Sequence, residues 1–428
     1  MTNKLPQGWV ECELKDLCEV ISKGTTPKNQ TDEPNFARFL KAENVTKESV
    51  IDLTSCKYID KETHTTTLKR SILKNNDILI TIAGTLGRCA VVETEENLNT
   101  NQAVCFARLL NCGISPHFIK YYILSPFVNR KLTNKAKVTA IPNLTLEIIK
   151  DINVKLPPLN EQKRIEEKIE EEFGKIDEGV EKLKLVQEQI KQYRQSVLKA
   201  AFDGKLYKVT NWEEKQLKDI FNTSSGGTPK RGNPAYYGGT IPWLKSGELN
   251  NGIVTKAEEY ITEEGLKNSS AKIFPRGSLL IALYGATVGK LGILDFDSTT
   301  NQAICCIYQN KNYNRDFLFY YLLFKKEYLV NQGKGGAQPN ISQEIIKALL
   351  IPVPTLDEQK QIVAEIEKRF EIADEAERVI AENLEKAEQL KQSILKKAFE
   401  GRLVPQDPTD EPASVLLAKI KAERSKNV

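Results

Sequence analysis

The apolar positions of this chain follow two patterns, and the pair of patterns occurs twice. Between residues 159 and 204, Ile169, Ile176, Leu183, Ile190 and Val197 recur at every seventh position, with Phe173, Val180, Val186 and Tyr193 widening the stripe. Between 356 and 401 the stripe is Ile366, Ala373, Ile380, Ala387 and Ile394, flanked by Phe370, Leu384 and Leu390. Heptads sustained over that distance specify a helix packed along another helix. About 43 helical residues span roughly 65 Å. Pro157-Pro158 stops the preceding chain, Asn160 is the expected N-cap and Gly204 the expected stop. Ala facing Ile and Leu facing Val point to large-to-small interdigitation, so the two helices are expected to pair antiparallel within the chain. Pairing of each helix in a homodimer satisfies the same heptads.

The other pattern is short, β-prone and broken by Gly and Asn. DILITIAG (77–84), CAVVE (89–93) and AVCFARL (103–109) read as strands, and so do SLLIALYG, LGILDF and AICCIYQ further on. An apolar helical stretch follows each set, HFIKYYIL and DFLFYYLLF.

These elements belong to an internal repeat of roughly 200 residues. LPPLNEQKRIEEKIE (156–170) matches VPTLDEQKQIVAEIE (353–367), and QSVLKAAFDGKL (195–206) matches QSILKKAFEGRL (392–403), both at one offset. PNLTLEIIK (142–150) meets PNISQEIIK (339–347) at that offset too. Upstream the offset drifts: TNQAVC meets TNQAIC, GTLGR meets GATVGK with one inserted residue, and SKGTTPK (22–28) meets SSGGTPK (224–230). Insertions therefore collect in the first part of each unit and never in the second. One part is a rigid spacer; the other is a framework with adjustable loops. The expected organisation is α+β: a mixed α/β domain over 1–155, a helix over 156–204, a second mixed domain over 205–353, a helix over 354–402 and an extension over 403–428.

The net charge of +4 is small, but its distribution is uneven. Residues 1–158 carry +4 and 205–355 carry +5, whereas 159–204 carry −2 and 356–401 carry −4. Two mildly basic domains on acidic connectors suit a polyanionic ligand. No run of 18 apolar residues marks a membrane span, and MTNKLPQGWVECEL has no apolar signal stretch, so a cytoplasmic protein is expected. The eight cysteines show no CxxC spacing, and Cys105, Cys305 and Cys306 fall in strand-like runs, which fits buried reduced thiols.

Catalytic signatures are missing. Gly285-Ala-Thr-Val-Gly289-Lys290 imitates a phosphate loop, but it is one residue short between its glycines, and Leu291 stands where Ser or Thr would hold magnesium. The two histidines, His64 and His117, are far apart and lack neighbours at ligand spacing, so neither metal nor cofactor is expected. His64 reads as a loop residue and His117 as the opening of a helix. No G-x-S-x-G elbow or adenine-methyltransferase tetrapeptide appears.

The opening Leu5-Pro-Gln-Gly-Trp9, the following Leu14-Lys-Asp-Leu17, the SxGGTPK, TNQA and PNIS elements, and the spacer segments LPPLNEQKRI and QSVLKAAFDGKL together resemble the specificity subunit of type I restriction–modification systems. The ending from Leu403 through Asp410 to Leu417 resembles that family's C-terminal extension. The likeness covers essentially the whole chain, twice over, with one departure: the first unit has GTT and IPN where the second has GGT and QPN. The resemblance implies two target-recognition domains reading the two halves of a split double-stranded DNA target. It implies two methyltransferase subunits and two translocase–endonuclease subunits as partners, and no catalysis by the chain itself. A structural coiled-coil scaffold, or a methyltransferase or nuclease of unusual signature, is the alternative.

Candidate DNA contacts are Thr25, Thr26 and Lys28 and their counterparts Thr228, Lys230 and Arg231, exposed donors in Gly/Pro loops whose other reading is ordinary turn chemistry. Arg88 and Lys290 follow glycine loops at strand ends, and Lys334 and Gln338 lie in a polar loop matched by Lys135 and Lys137. Tyr284 stacks on a base or, the favoured reading, lies in the core. Tyr236, Tyr237 and Trp243 read as a local hydrophobic cluster, and Trp9 and Trp212 as core anchors.

Overall fold

The computed structural model describes residues 5–136, 143–206, 212–333 and 340–426, the side chains of 133–136, 425 and 426 excepted. The chain divides into two compact units, Met1–Leu183 with Glu382–Val428, and Lys184–Ala381. Each long helix contributes to both.

In the first unit the runs read as strands pair antiparallel. Cys18–Lys23, Val104–Leu109, Ile78–Thr81 and Cys89–Val91 form a four-stranded sheet in that order. Its central strands are buried on both faces, which is why their sequences are continuously apolar. Alternation still sorts the side chains. Ile78, Ile80, Cys105 and Ala107 join the core that contains the long helices, while Leu79, Val104 and Phe106 join Leu40, Val45 and Leu73 on the other side. That second layer is a smaller sheet of Lys57–Ile59, Ala37–Leu40, Leu98–Thr100 and Ile72–Leu73, with one parallel pair at its centre. Val10–Glu13 pairs with Asn153–Leu156 just ahead of the first long helix.

The second unit repeats the plan. Thr223–Ser225, Ile304–Ile307, Leu279–Ala282, Leu291–Leu294 and Gly252–Val254 form a five-stranded sheet. A three-stranded sheet of Glu259–Ile261, Tyr237–Leu244 and Thr299–Thr300 lies beside it in sequence order 2-1-3. Leu279, Ile281 and Leu283 face the helical core, and Leu280 and Ala282 face away. The strand Glu214–Gln216 pairs with Leu350–Pro352.

The long helices run Leu159–Phe202 and Leu356–Ala398. Asn160 lies inside the first rather than capping it, and its side-chain amide donates to Asp410. Gly204, at φ +72°, follows the helix end as expected. The second helix opens with a capping box, Thr355 and Glu358 each satisfying the other's backbone N–H. Gln162 and Gln359 donate to the carbonyls of Pro157 and Pro354, so the first turn of each long helix is fixed in the same way.

In each unit one helix runs beside the other in the opposite sense, and the seam is marked by one device. In the first unit Lys391 lies 5.2 Å from the Phe173 ring centre and 2.5 Å from Asp177. In the second, Arg194 lies 4.9 Å from the Phe370 ring centre and 2.5 Å from Asp374. Ile169 and Ile394 are buried in the first core and Val197 and Ile366 in the second, with Ile176 at the edge of the first. Ile190 and Ile380 are buried, and Val180, Leu183 and Leu384 half-buried. Leu390 departs from expectation at 51 % exposed, and Val186 and Tyr193 are exposed too. Two helices cover one seam, so a stripe wider than that seam keeps its outer members in water.

The apolar helices Pro116–Leu124 and Arg315–Phe324 bind the sheets to the seam through matched aromatic contacts. Phe399 packs edge-on against Phe118 and Tyr122, and Tyr121 against Phe173. In the second unit Phe202 meets Phe317 and Tyr321, and Tyr320 meets Phe370. His117 opens its helix, with Ser115 as the N-cap. His64 is not a loop residue: it is buried in a short helical turn, its Nδ1 2.5 Å from Asn99 Oδ1. The shared apolar surroundings of Phe39, Ile59 and Leu68 draw that segment inward.

The C-terminal extension belongs to the first unit. Its helix Ala413–Lys426 buries Ala413, Leu416 and Ile420 in the first core. Arg164 holds Asp410 at 2.7 Å, and Trp9, a buried anchor, donates its indole N–H to Glu161. Trp212 is half-buried against Phe317.

All eight cysteines are free thiols, seven of them buried, and burial pushes Cys12, Cys89, Cys105, Cys305 and Cys306 up to about 12. Since these groups stay protonated far above neutral pH, an alkylating reagent at about pH 8 should label half-buried Cys112 and spare the rest until denaturant is added. Mass spectrometry of the labelled native protein checks this. Ile420→Ala should cost about 2–5 kcal/mol, as for other buried Ile truncations. Hydrogen exchange should place the lost protection in the first unit, and equal loss in both units would contradict the assignment of the tail.

Candidate nucleic-acid interface

Three of the repeated motifs meet at one sheet edge in each unit, and backbone geometry explains their residues. In the first unit Gly24 donates to Val104 O and Thr25 to Thr100 O. A Cβ on Gly24 would fall 1.8 Å from the Thr100 carbonyl oxygen, so only glycine lets the GTTPK segment lie on TNQA. The Thr26 hydroxyl then donates to Gln102 at 2.5 Å. At the same edge Leu144 of the PN element donates to Ile82 O, and Ile82 to Ala103 O.

The second unit uses the same bonds. Gly226 donates to Ile304 O and Gly227 to Thr300 O, Thr228 pairs with Gln302, and Ile341 donates to Leu283 O. A Cβ on Gly226 would fall within 2.4 Å of Thr300 and Asn301. Gly227, where the first unit has Thr25, packs against the backbone of Ser270 and Ala271, a segment the second unit places there; a Cβ would come within 2.4 Å. The GTT/GGT difference is thus a difference in what lies behind the loop.

Several side chains on this edge reach solvent. Thr25, Thr26, Lys28 and Gln102 are exposed in the first unit, and Lys230, Arg231 and Gln302 in the second, with Thr228 half-buried. Neither Lys28 nor Lys230 forms a salt bridge among the described residues. Arg231 is held more firmly, its guanidinium 4.8 Å from the Tyr237 ring centre, 4.7 Å from that of Trp243, and 2.7 Å from Glu259. That guanidinium, and Lys245 beyond it, hold the Glu259 carboxyl below its ordinary value. Trp243 is buried and donates to Gly227 O, while Tyr237 donates to Pro229 O, so this aromatic cluster is the floor of the GGTPKR loop.

The model of the type I restriction modification DNA specificity domain matches this chain twice, over residues 6–184 and 210–386. The chain belongs to this family. It is 28% identical over 379 residues to the type I restriction enzyme EcoBI specificity subunit of Escherichia coli, covering 78% of this chain and 77% of that one. The StySPI specificity subunit of Salmonella potsdam is 25% identical over 460 residues, covering 99% and 96%. Among solved structures, one described as showing complex assembly and conformational transition of the type I R-M system aligns over 94% of this chain and 100% of its own, with TM-score 0.70 and 20% identity. The HsdS subunit from Thermoanaerobacter tengcongensis aligns over 94% and 98% with TM-score 0.50 and 20% identity. Both likenesses concern the fold.

Within this type I specificity-domain frame the other candidates separate. Arg88 turns inward and donates to Val45 O at 3.0 Å, which ties part of its guanidinium to the framework. Tyr284 is half-buried against the second core and bridges to Asn340, in line with the core reading. Lys290 is half-buried behind a single helical turn, Gly285–Thr287. Lys137, Lys334 and Gln338 lie outside the described residues, as does the side chain of Lys135. The glutamines Gln102 and Gln302 were missed in the sequence, although their place in a motif repeated twice next to a threonine loop was the available signal. No group of three or more His, Cys, Asp or Glu side chains among the described residues is placed to hold a metal ion, and no described helix is long and apolar enough to cross a membrane.

Gly226→Ala should force the GGTPKR loop off the TNQA backbone at a cost of about 1–3 kcal/mol, typical of overpacking. Thermal unfolding reads the cost. A variant as stable as the parent would show that the close approach is not a constraint.

Proposed function

We propose that this chain is the DNA-reading and assembly subunit of a type I restriction–modification complex, each unit reading one half of a split target. The observation that carries the reading is the convergence of the TPK and TNQ elements and the segments that begin at Asn143 and Asn340 at one sheet edge, in two units whose flanking loops differ. A shared framework with different loops is what two different half-sequences require, since phosphate contacts set register and side chains at base edges discriminate. A structural scaffold has no use for that variation. Thr25, Thr26, Lys28, Thr228, Lys230 and Arg231 are the assigned contacts, joined by Gln102 and Gln302; Arg88, Lys290 and Tyr284 rank below them.

The long helices act as the ruler between the half-sites and as the docking surface for two methyltransferase subunits, with two translocase–endonuclease subunits completing the complex. The chain itself carries no catalytic residues and takes no cofactor in this reading. Its domains follow the repeat, 1–155 and 205–353, with spacers over 156–204 and 354–402.

Comparing methylated adenines genome-wide with and without this gene tests the reading directly: one split motif should vanish. Lengthening 160–203 and the matching stretch of the second helix by one heptad should alter the gap between the half-sequences and leave both halves unchanged. An altered half-sequence with an unaltered gap would refute the ruler. Lys28→Ala and Lys230→Ala should each lower the salt slope of DNA binding by about 0.9 if the lysine meets one phosphate. An unchanged slope removes that lysine from the interface.

A further inference from the structure

We infer that a face of the first unit built around Phe127 is a second binding site for duplex DNA, one that takes phosphates without regard to sequence. The inference rests on the DNA-reading function proposed above but concerns residues outside the motif edge. Pro126, Phe127, Arg130, Lys131 and Lys396 line an open cavity of about 490 Å³. Lys155 joins them, its ammonium 5.3 Å from the Phe127 ring centre. Phe127 itself is 40 % exposed.

Four cations thus surround one exposed ring, and none forms a salt bridge among the described residues. Lys155 faces Glu11 across the strand pair, yet no ion pair forms. Elsewhere the long helices pair their lysines and arginines freely, as at Lys168, Lys175 and Lys191. Gathering like charges without carboxylates raises the local potential and opposes folding unless an anion binds there. The repeat shows that the framework does not need this set of cations. Lys199 stands where Lys396 does, but Pro352 replaces Lys155, and the corresponding helix Lys326–Gln332 carries Glu327 and has its cations only at its start, Lys326 and the preceding Lys325, which lies over Tyr321, Phe324 and Tyr328.

Phosphate diesters of DNA fit better than the carboxylates of a protein partner. The helix carrying Arg130 and Lys131, Pro126–Ala136, also approaches the GTLGR loop that ends in the candidate contact Arg88, since a Cβ on Gly87 would lie 3.9 Å from Asn129. One element therefore neighbours both a candidate DNA loop and the patch. Its cations are spread over an open cavity, as suits successive phosphates, and the apolar Pro126 and Phe127 suit the sugar between them.

The test uses the full chain and a random-sequence duplex, with affinity measured across a range of salt. All three substitutions in Arg130→Gln/Lys131→Gln/Lys396→Gln lie on exposed side chains. The triple variant should lose about 0.9 from the salt slope for each cation that meets a phosphate, hence roughly 2–3 in all. It should keep the parent's methylation motif when complemented in cells. Lys28→Ala in the same assay serves as the reference for the motif edge. An unchanged slope in the triple variant, with the parent binding normally, overturns this site and leaves the DNA-reading function standing. A parent chain that binds no duplex fails both. Retained slope with loss of the methyltransferase subunit on co-purification also overturns it, since the patch would then be a protein-docking face.

Discussion

One contact sets the geometry of each unit: a cation on one long helix lies over a phenylalanine of the other and reaches the aspartate four residues further along. Lys391, Phe173 and Asp177 make it in the first unit, and Arg194, Phe370 and Asp374 in the second. The cation–ring attraction is worth about 0.5–2 kcal/mol, which alone would not hold a fold. Its importance is directional. Heptads pair parallel or antiparallel with similar burial, whereas this arrangement closes only where the beginning of one helix meets the end of the other. The same phenylalanines receive Tyr121 and Tyr320, so the seam that orients the helices also seats the sheets.

From that seam the order of the layers follows. Phe399 and Phe202 close the aromatic cluster beneath each sheet, and the alternating strand residues divide between the helical core and the smaller sheet beyond it. The motif edge is therefore held largely by hydrogen bonds between backbone groups that every residue but proline possesses, with glycine required only where two segments touch. Loops attached to such an edge change without disturbing it. This is the physical reason that insertions accumulate upstream in each repeat while the spacer tolerates none: one residue added to a heptad rotates every later side chain off the seam.

Much of this was legible in the sequence, and the exceptions share causes. Strands Ile78–Thr81 and Val104–Leu109, the helices beside them and both spacers announced themselves because burial on two faces, or heptad periodicity, leaves a strong pattern. The smaller sheets did not, because Ile72–Leu73 and Thr299–Thr300 are two residues long and owe their extension to a parallel or distant partner. Leu390 misled because periodicity identifies a stripe and not the width of what covers it. For the candidate contacts, exposure was readable from loop composition, whereas the inward turn of Arg88 depended on Val45, 43 residues away in the chain, and no local signal carries that.

The tail shows how far the repeat can break without loss of order. In the first unit the strand Val10–Glu13 buries Cys12, and the helix Ala413–Lys426 lies over the turn that follows, with Arg424 on the Lys15 carbonyl and Ala413 on that of Gly8. In the second unit the matching strand Glu214–Gln216 presents Glu214 and Lys215 to solvent, and Lys215 pairs with Glu213. A thiol buried in one copy is a charged side chain in the other. The second unit is therefore polar at the surface where the first packs the helix Ala413–Lys426, and the difference between Cys12 and Lys215 records which copy that helix covers. Two units that share a framework, a seam and an edge differ where the helix Ala413–Lys426 packs on the first of them.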